Sequence, residues 1–163
     1  MKNTFLKVAV AASLIASLGV ASAASAATQS ATARARILRQ VTLTNTTDLQ
    51  FGTIVSNAAA STVLVSTSGA RTCGTVLVCS GTTTAAHFDV AGTTGQIVTV
   101  VVDPTVTLTS GSNSMTAVLT SSAALLTLAS NAGSFNVGGL LTVGASQADG
   151  DYAGSFNATA DYQ

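Results

Sequence analysis

The sequence predicts an all-β sandwich, on three observations. Thr, Val, Ser, Ala and Gly dominate and Glu is absent; β-branched side chains lose rotamer freedom in helices but pack well on a pleated sheet. Apolar residues recur with period two over short runs. Turn formers punctuate those runs: Gly52, Ser68-Gly69, Ser80-Gly81, Asp103-Pro104, Ser110-Gly111-Ser112-Asn113, Gly138-Gly139 and Asp149-Gly150-Asp151. Many short strands separated by turns build a sandwich. The chain has 163 residues, 47% of them hydrophobic and 7% charged, with zero formal net charge. It is too apolar for intrinsic disorder and too poor in Glu and Lys for a charged helical bundle. Six Lys plus Arg do not make the basic patch a nucleic acid demands.

The first element is not part of the fold. Met1, Lys2 and Lys7 precede an apolar run over residues 8–20, and small residues follow through Ala26. This is the pattern of a secretory signal peptide over residues 1–26, with cleavage after Ala23 or Ala26. The apolar run is shorter than the roughly 20 residues of a membrane-spanning helix. Beyond it the chain keeps four arginines against six aspartates, a net charge of −2, and no lysine.

Residues 27–38 read as an N-terminal extension. Ala31, Ala33, Ala35 and Ile37 share one phase of an extended strand, and Thr32, Arg34 and Arg36 share the other. Arg39 interrupts the apolar phase before Val41 and Leu43 resume it, so the sandwich domain is expected over residues 39–163. Val63-Leu64-Val65 and residues 97–102 are nearly continuous apolar runs, expected in strands buried on both faces. Residues 106–109, 115–117 and 140–143 alternate, whereas residues 121–128 allow a turn of helix. The peptide Ala-Gly-Ser-Phe-Asn occurs at 132–136 and again at 153–157, too short a repeat for a solenoid and best explained by similar strand roles or chance.

Cys73 and Cys79 predict a disulfide in an exported chain. On one straight strand they would lie about 20 Å apart, against about 5.5 Å for a bonded pair, so the chain turns between them near Gly74. The last element alternates almost to its final residue. Tyr152, Gly154, Phe156, Ala158, Ala160 and Tyr162 fall on one face, which makes this end a strand laid on the core.

The chemistry-bearing residues are few. The single histidine, His87, shares an outward phase with Asp89, a pairing that could serve a general base and its orienter but reads more simply as a solvated face. Asp149-Gly150-Asp151 could open a calcium site, yet no other acidic residue lies nearby in sequence, and a turn before the last strand accounts for it. Arg34, Arg36 and Arg39 could hold an anion, or guard an edge strand against wrong pairing. No cofactor, metal set or enzyme motif is read from the sequence.

Two resemblances follow from the ends of the chain. Tyr162 is penultimate and Gly150 is fourteenth from the end, counting Gln163 as first. This is similar to the C-terminus of chaperone–usher pilins, and the alternating N-terminal segment adds to the likeness. Leu-Thr-Asn-Thr-Thr-Asp-Leu-Gln-Phe-Gly at 43–52, Phe-Asn-Val-Gly-Gly-Leu-Leu-Thr-Val-Gly at 135–144 and Gly-Asp-Tyr-Ala-Gly-Ser-Phe at 150–156 resemble a family of small secreted bacterial proteins known chiefly as a domain of unknown function. The pilin likeness implies an incomplete immunoglobulin-like β-sandwich completed by strand exchange. It implies a donor strand carrying Ala31, Ala33, Ala35 and Ile37. It also implies a groove or chaperone-binding strand carrying Gly150, Tyr152, Gly154, Phe156 and Tyr162. The implied function is a structural subunit of a surface filament or fimbria, exported through the periplasm. The implied partners are copies of itself or related subunits, a periplasmic chaperone and an outer-membrane usher. Two features depart from pilins: the donor segment offers mostly Ala, with Ile37 and Leu38 its only large apolar residues, and the cysteines are close in sequence. The alternative expectation is a self-contained secreted β-sandwich that binds or adheres.

Overall fold

The structure, a computed structural model, describes residues 25–163, so the segment expected to be a signal peptide lies outside it up to residue 24. Residues 25–35 form a separate unit without helix or strand, and the compact unit is Arg36–Gln163. Among the described residues every regular element is a strand. These are β1 (Thr42–Thr47), β2 (Thr53–Val55), β3 (Ser61–Val65), β4 (Arg71–Cys73), β5 (Val78–Ser80), β6 (Ala86–Ala91), β7 (Ile97–Val102), β8 (Thr105–Ser110), β9 (Asn113–Ser121), β10 (Leu125–Thr127), β11 (Ala132–Val143) and β12 (Ala158–Tyr162). The class is the predicted one, a β-sandwich-like all-β fold.

The long strand β11 organises it. Along one edge its first half pairs with β6 and its second half with β3, while β9 takes the opposite edge, all antiparallel. β1 extends this sheet beyond β6, β4 extends it beyond β3, and β8 extends it beyond β9. A second sheet runs β10-β7-β12, and β2 pairs with β5 in a separate ribbon. The pairings β1-β6-β11 and β7-β12 follow the A-B-E and C-F pairings of an immunoglobulin-like sandwich.

Gly138 and Gly139 sit where β11 changes partner from β6 to β3. A Cβ at Gly138 would stand 2.5 Å from the Val65 carbonyl oxygen and 2.7 Å from the Ser66 carbonyl carbon, so the strand passes flush against that turn. On Gly139 the space of a side chain is taken by Leu49 and the Phe51 ring, each 3.1 Å from where its Cβ would be.

The core is wholly apolar; no polar side chain among the described residues is buried. Phe88 faces Phe135 across the β6–β11 ladder with rings stacked at 5.1 Å, and Phe156 meets Phe88 edge-on at 6.2 Å. The two Ala-Gly-Ser-Phe-Asn peptides thus deliver their phenylalanines to the same ring.

Two expectations are corrected. The apolar runs at 63–65 and 97–102 are buried on one face only: Val63, Val65, Val98 and Val100 are enclosed, but Leu64 is 40% and Val101 59% exposed. No second layer covers the outer face of either sheet among the described residues, so alternation persists beneath an unbroken hydrophobic spelling. Residues 121–128 form no helix; Ser121 ends β9 and β10 follows, with Leu126 paired to Val98 and Leu128 buried in the core. Tertiary burial overrode local preference there.

Gly138→Val should lower stability by about 3 kcal/mol, because the new side chain meets backbone that cannot rotate away. A shift in the urea unfolding midpoint with unchanged slope measures this.

Candidate functional site

The site is a groove between two long stretches of chain. Residues 39–56 form one bank, carrying β1, the bridge from Gln50 to Thr84, and β2. Residues 147–162 form the other bank, ending in β12. The banks are tied at both ends. At one end the Ser56 hydroxyl donates to the Gln147 carbonyl at 3.0 Å and the Ser146 N–H to the Asn57 carbonyl at 2.7 Å. At the other, the Tyr162 hydroxyl accepts from the Thr93 N–H and donates to the Arg39 carbonyl, both at 2.7 Å. Between those ties no hydrogen bond joins the banks. β1 pairs only with β6 and β12 only with β7, so each leaves one edge without a strand.

The groove has a volume of about 840 Å³ and is bounded by residues 49–56 of the first bank and 147–152 of the second, with β1 and β12 outside it. Leu108 and Met115, directly opposite each other on β8 and β9, form its floor with Leu141 and Val143 of β11. Leu49, Phe51 and Ile54 line one wall; Tyr152 and the Asp149-Gly150-Asp151 turn line the other. Tyr152 is fixed by its hydroxyl, which accepts from the Gln147 amide at 2.8 Å and donates to the Ala148 carbonyl at 2.9 Å.

The disulfide is present and bears on this site. Cys73 and Cys79 have Cα atoms 6.0 Å apart, and the turn between them closes on Gly74, whose carbonyl accepts from the Leu77 N–H. Cys73 lies on β4 of the large sheet and Cys79 on β5, the partner of β2. The bond therefore anchors the ribbon that makes one groove wall.

The structure divides the C-terminal residues singled out from sequence. Gly150 and Tyr152 line the groove. Gly150 has φ of 149°, and a Cβ there would run into Ser110, so glycine is required. Gly154 presses on the Thr107 carbonyl where the bank crosses β8. Phe156 packs on Phe88, and Tyr162 makes the end tie. The expected single strand over 152–162 is broken: only Ala153 bridges Thr109, and β12 begins at Ala158. At the break the Asp103 carboxylate accepts from the Asn157 N–H at 2.7 Å and the Asp103 N–H donates to the Asn157 carbonyl at 3.0 Å, where β7 bends into β8.

Ala31, Ala33 and Ala35 lie in the unit without strands, and Ile37 is 93% exposed. Leu49, Phe51, Leu108 and Met115 were not singled out from sequence. The Leu108–Met115 pair was available in the Ser110-Gly111-Ser112-Asn113 turn, which sets that hairpin's register.

The remaining polar cluster is shallow. His87 Nε2 lies 3.3 Å from Asp89 Oδ1, and its other ring nitrogen meets Asn136 Oδ1, all on an outer sheet face. Among the described residues no group of His, Cys, Asp or Glu is arranged to hold a metal ion.

Comparison with known proteins places residues 41–162 in the family described as a domain of unknown function (DUF4402), and the chain belongs to that family. No curated protein and no solved structure matches the chain.

Two measurements probe the supports of the groove. Tyr162→Phe removes the hydroxyl from the Thr93 N–H and the Arg39 carbonyl, and should cost about 1–2 kcal/mol in urea unfolding. Replacing Cys73 and Cys79 together by Ala should cost about 2 kcal/mol, the loop-closure value for so short a loop. Amide exchange should rise most in β2 and β5.

Proposed function

We propose that this DUF4402 chain is a structural subunit of a bacterial surface filament, assembled by strand addition between subunits. The observation that carries this reading is the unpaired edge left by each of β1 and β12, together with the apolar groove between residues 49–56 and 147–152. In a complete immunoglobulin-like domain, a further strand lies beside the strand equivalent to β12. Here that position holds no strand among the described residues, and an apolar groove floored by Leu108, Met115, Leu141 and Val143 opens against residues 147–152, ahead of β12 in the chain. Edge main-chain groups supply affinity to an added strand, and pockets for alternate side chains supply specificity.

The donor in this reading is the extension at 27–38, with Ala31, Ala33, Ala35 and Ile37 facing into the next subunit's groove. A periplasmic chaperone strand would fill the groove beforehand and an outer-membrane usher would exchange it. No bond-making chemistry is involved. A disulfide suits the oxidising compartments such a subunit crosses.

Deleting residues 27–38 tests the reading. The full chain should give SDS-resistant, heat-sensitive ladders, and the deletion should give monomer at similar abundance. Ladders of full length from the deleted chain would remove the donor assignment.

A further inference from the structure

The groove has an acidic rim that nothing within the compact unit neutralises. Asp149 and Asp151 line it, both exposed, and neither forms a salt bridge; the one ion pair among the described residues is His87 with Asp89. Arg71, which reaches the groove residues Gly52 and Gly81, is already committed, its guanidinium donating to the Ser80 carbonyl at 2.6 Å and the Gly81 carbonyl at 3.3 Å. The other three arginines of the described chain, Arg34, Arg36 and Arg39, cluster before β1 and form no salt bridge.

The two unpaired sets of charge are opposite in sign. Arg34 and Arg36 are two residues apart, so on an extended strand they project to one side about 6.6 Å apart. Asp149 and Asp151 are also two apart, on the two sides of Gly150. The opposite face of the same extended segment carries Ala33, Ala35 and Ile37, the side chains an apolar floor accepts. A strand seated with that face on Leu108 and Met115 presents its arginines at the level of the rim.

We infer that the occupant of the groove is residues 31–37 of a second copy of this chain, selected and held in register by Arg34 and Arg36 against Asp149 and Asp151. The inference rests on the strand-addition reading and adds what that reading leaves open, namely which strand is chosen and where it stops. Small alanines give little grip along the floor, so register is weakly specified by packing. Charge complementarity then sets partner choice and speeds encounter, and salt weakens it.

The test uses the full chain and reads SDS-resistant ladders at low and high salt. Asp149→Arg with Asp151→Arg should reduce ladder formation at least about tenfold, and Arg34→Asp with Arg36→Asp should do the same. All four changes in one chain should restore it, and far-ultraviolet circular dichroism should be the same in every variant. Ladders from the unaltered chain that both double variants match, or a fourfold variant as defective as either double, would overturn the charge pairing and leave strand addition standing. Absence of ladders from the unaltered chain would remove strand addition itself, and this inference with it. Purification of the unaltered chain with its groove filled by a different polypeptide would overturn the choice of a second copy.

Discussion

One strand has to satisfy three neighbours, and the rest of the molecule is arranged around that demand. β11 gives its first half to β6, its second half to β3, and its other edge to β9. A strand can change partner along one edge only if the departing and arriving chains come very close at the exchange point. Gly138 permits this by leaving room for the turn at residues 65–67, and Gly139 leaves room on its own face for Leu49 and Phe51. The same exchange point thus joins two sheet regions and seats the residues that wall the groove.

The groove follows from how the sandwich is closed. Its two banks meet only through side-chain and end contacts, because β1 and β12 both direct their ladder hydrogen bonds away from each other. Exposed edges ordinarily invite uncontrolled pairing, and charges placed beside them are a common guard. Asp149 and Asp151 stand instead on the rim of the groove, in the turn that precedes β12. Low overall charge sharpens their effect, since few competing ions stand near.

Much of the fold was legible in the sequence because period-two alternation reports which face meets the core. The strand β1, the hairpin of β8 and β9, and the second half of β11 follow from it, and the disulfide follows from the cysteine spacing. Three features were not legible. The exposure of Leu64 and Val101 depends on whether another layer covers the sheet, which local spelling does not encode. The strand β10 replaced a turn of helix because Leu126 and Leu128 find burial there, a decision made by distant residues. The break at 154–157 falls where the Asp103 carboxylate takes the Asn157 N–H, a partner 54 positions away that local spelling does not reveal. For the site, Gly150 and Tyr152 were visible through the spacing at the chain's end. The floor was not, because Leu108 and Met115 become neighbours of Leu141 and Val143 only once the sheet is assembled.

The tie between Tyr162 and Arg39 spans 123 positions of sequence. Contacts between residues so far apart carry a large loop-closure entropy and form after local hairpins are in place. An interaction absent from the folding transition state leaves the folding rate nearly unchanged and acts on the rate of unfolding. The tyrosine hydroxyl therefore adds its stability by slowing unfolding, so its equilibrium contribution is expressed as a longer lifetime of the tied banks. That lifetime sets how long the groove keeps both of its walls in place.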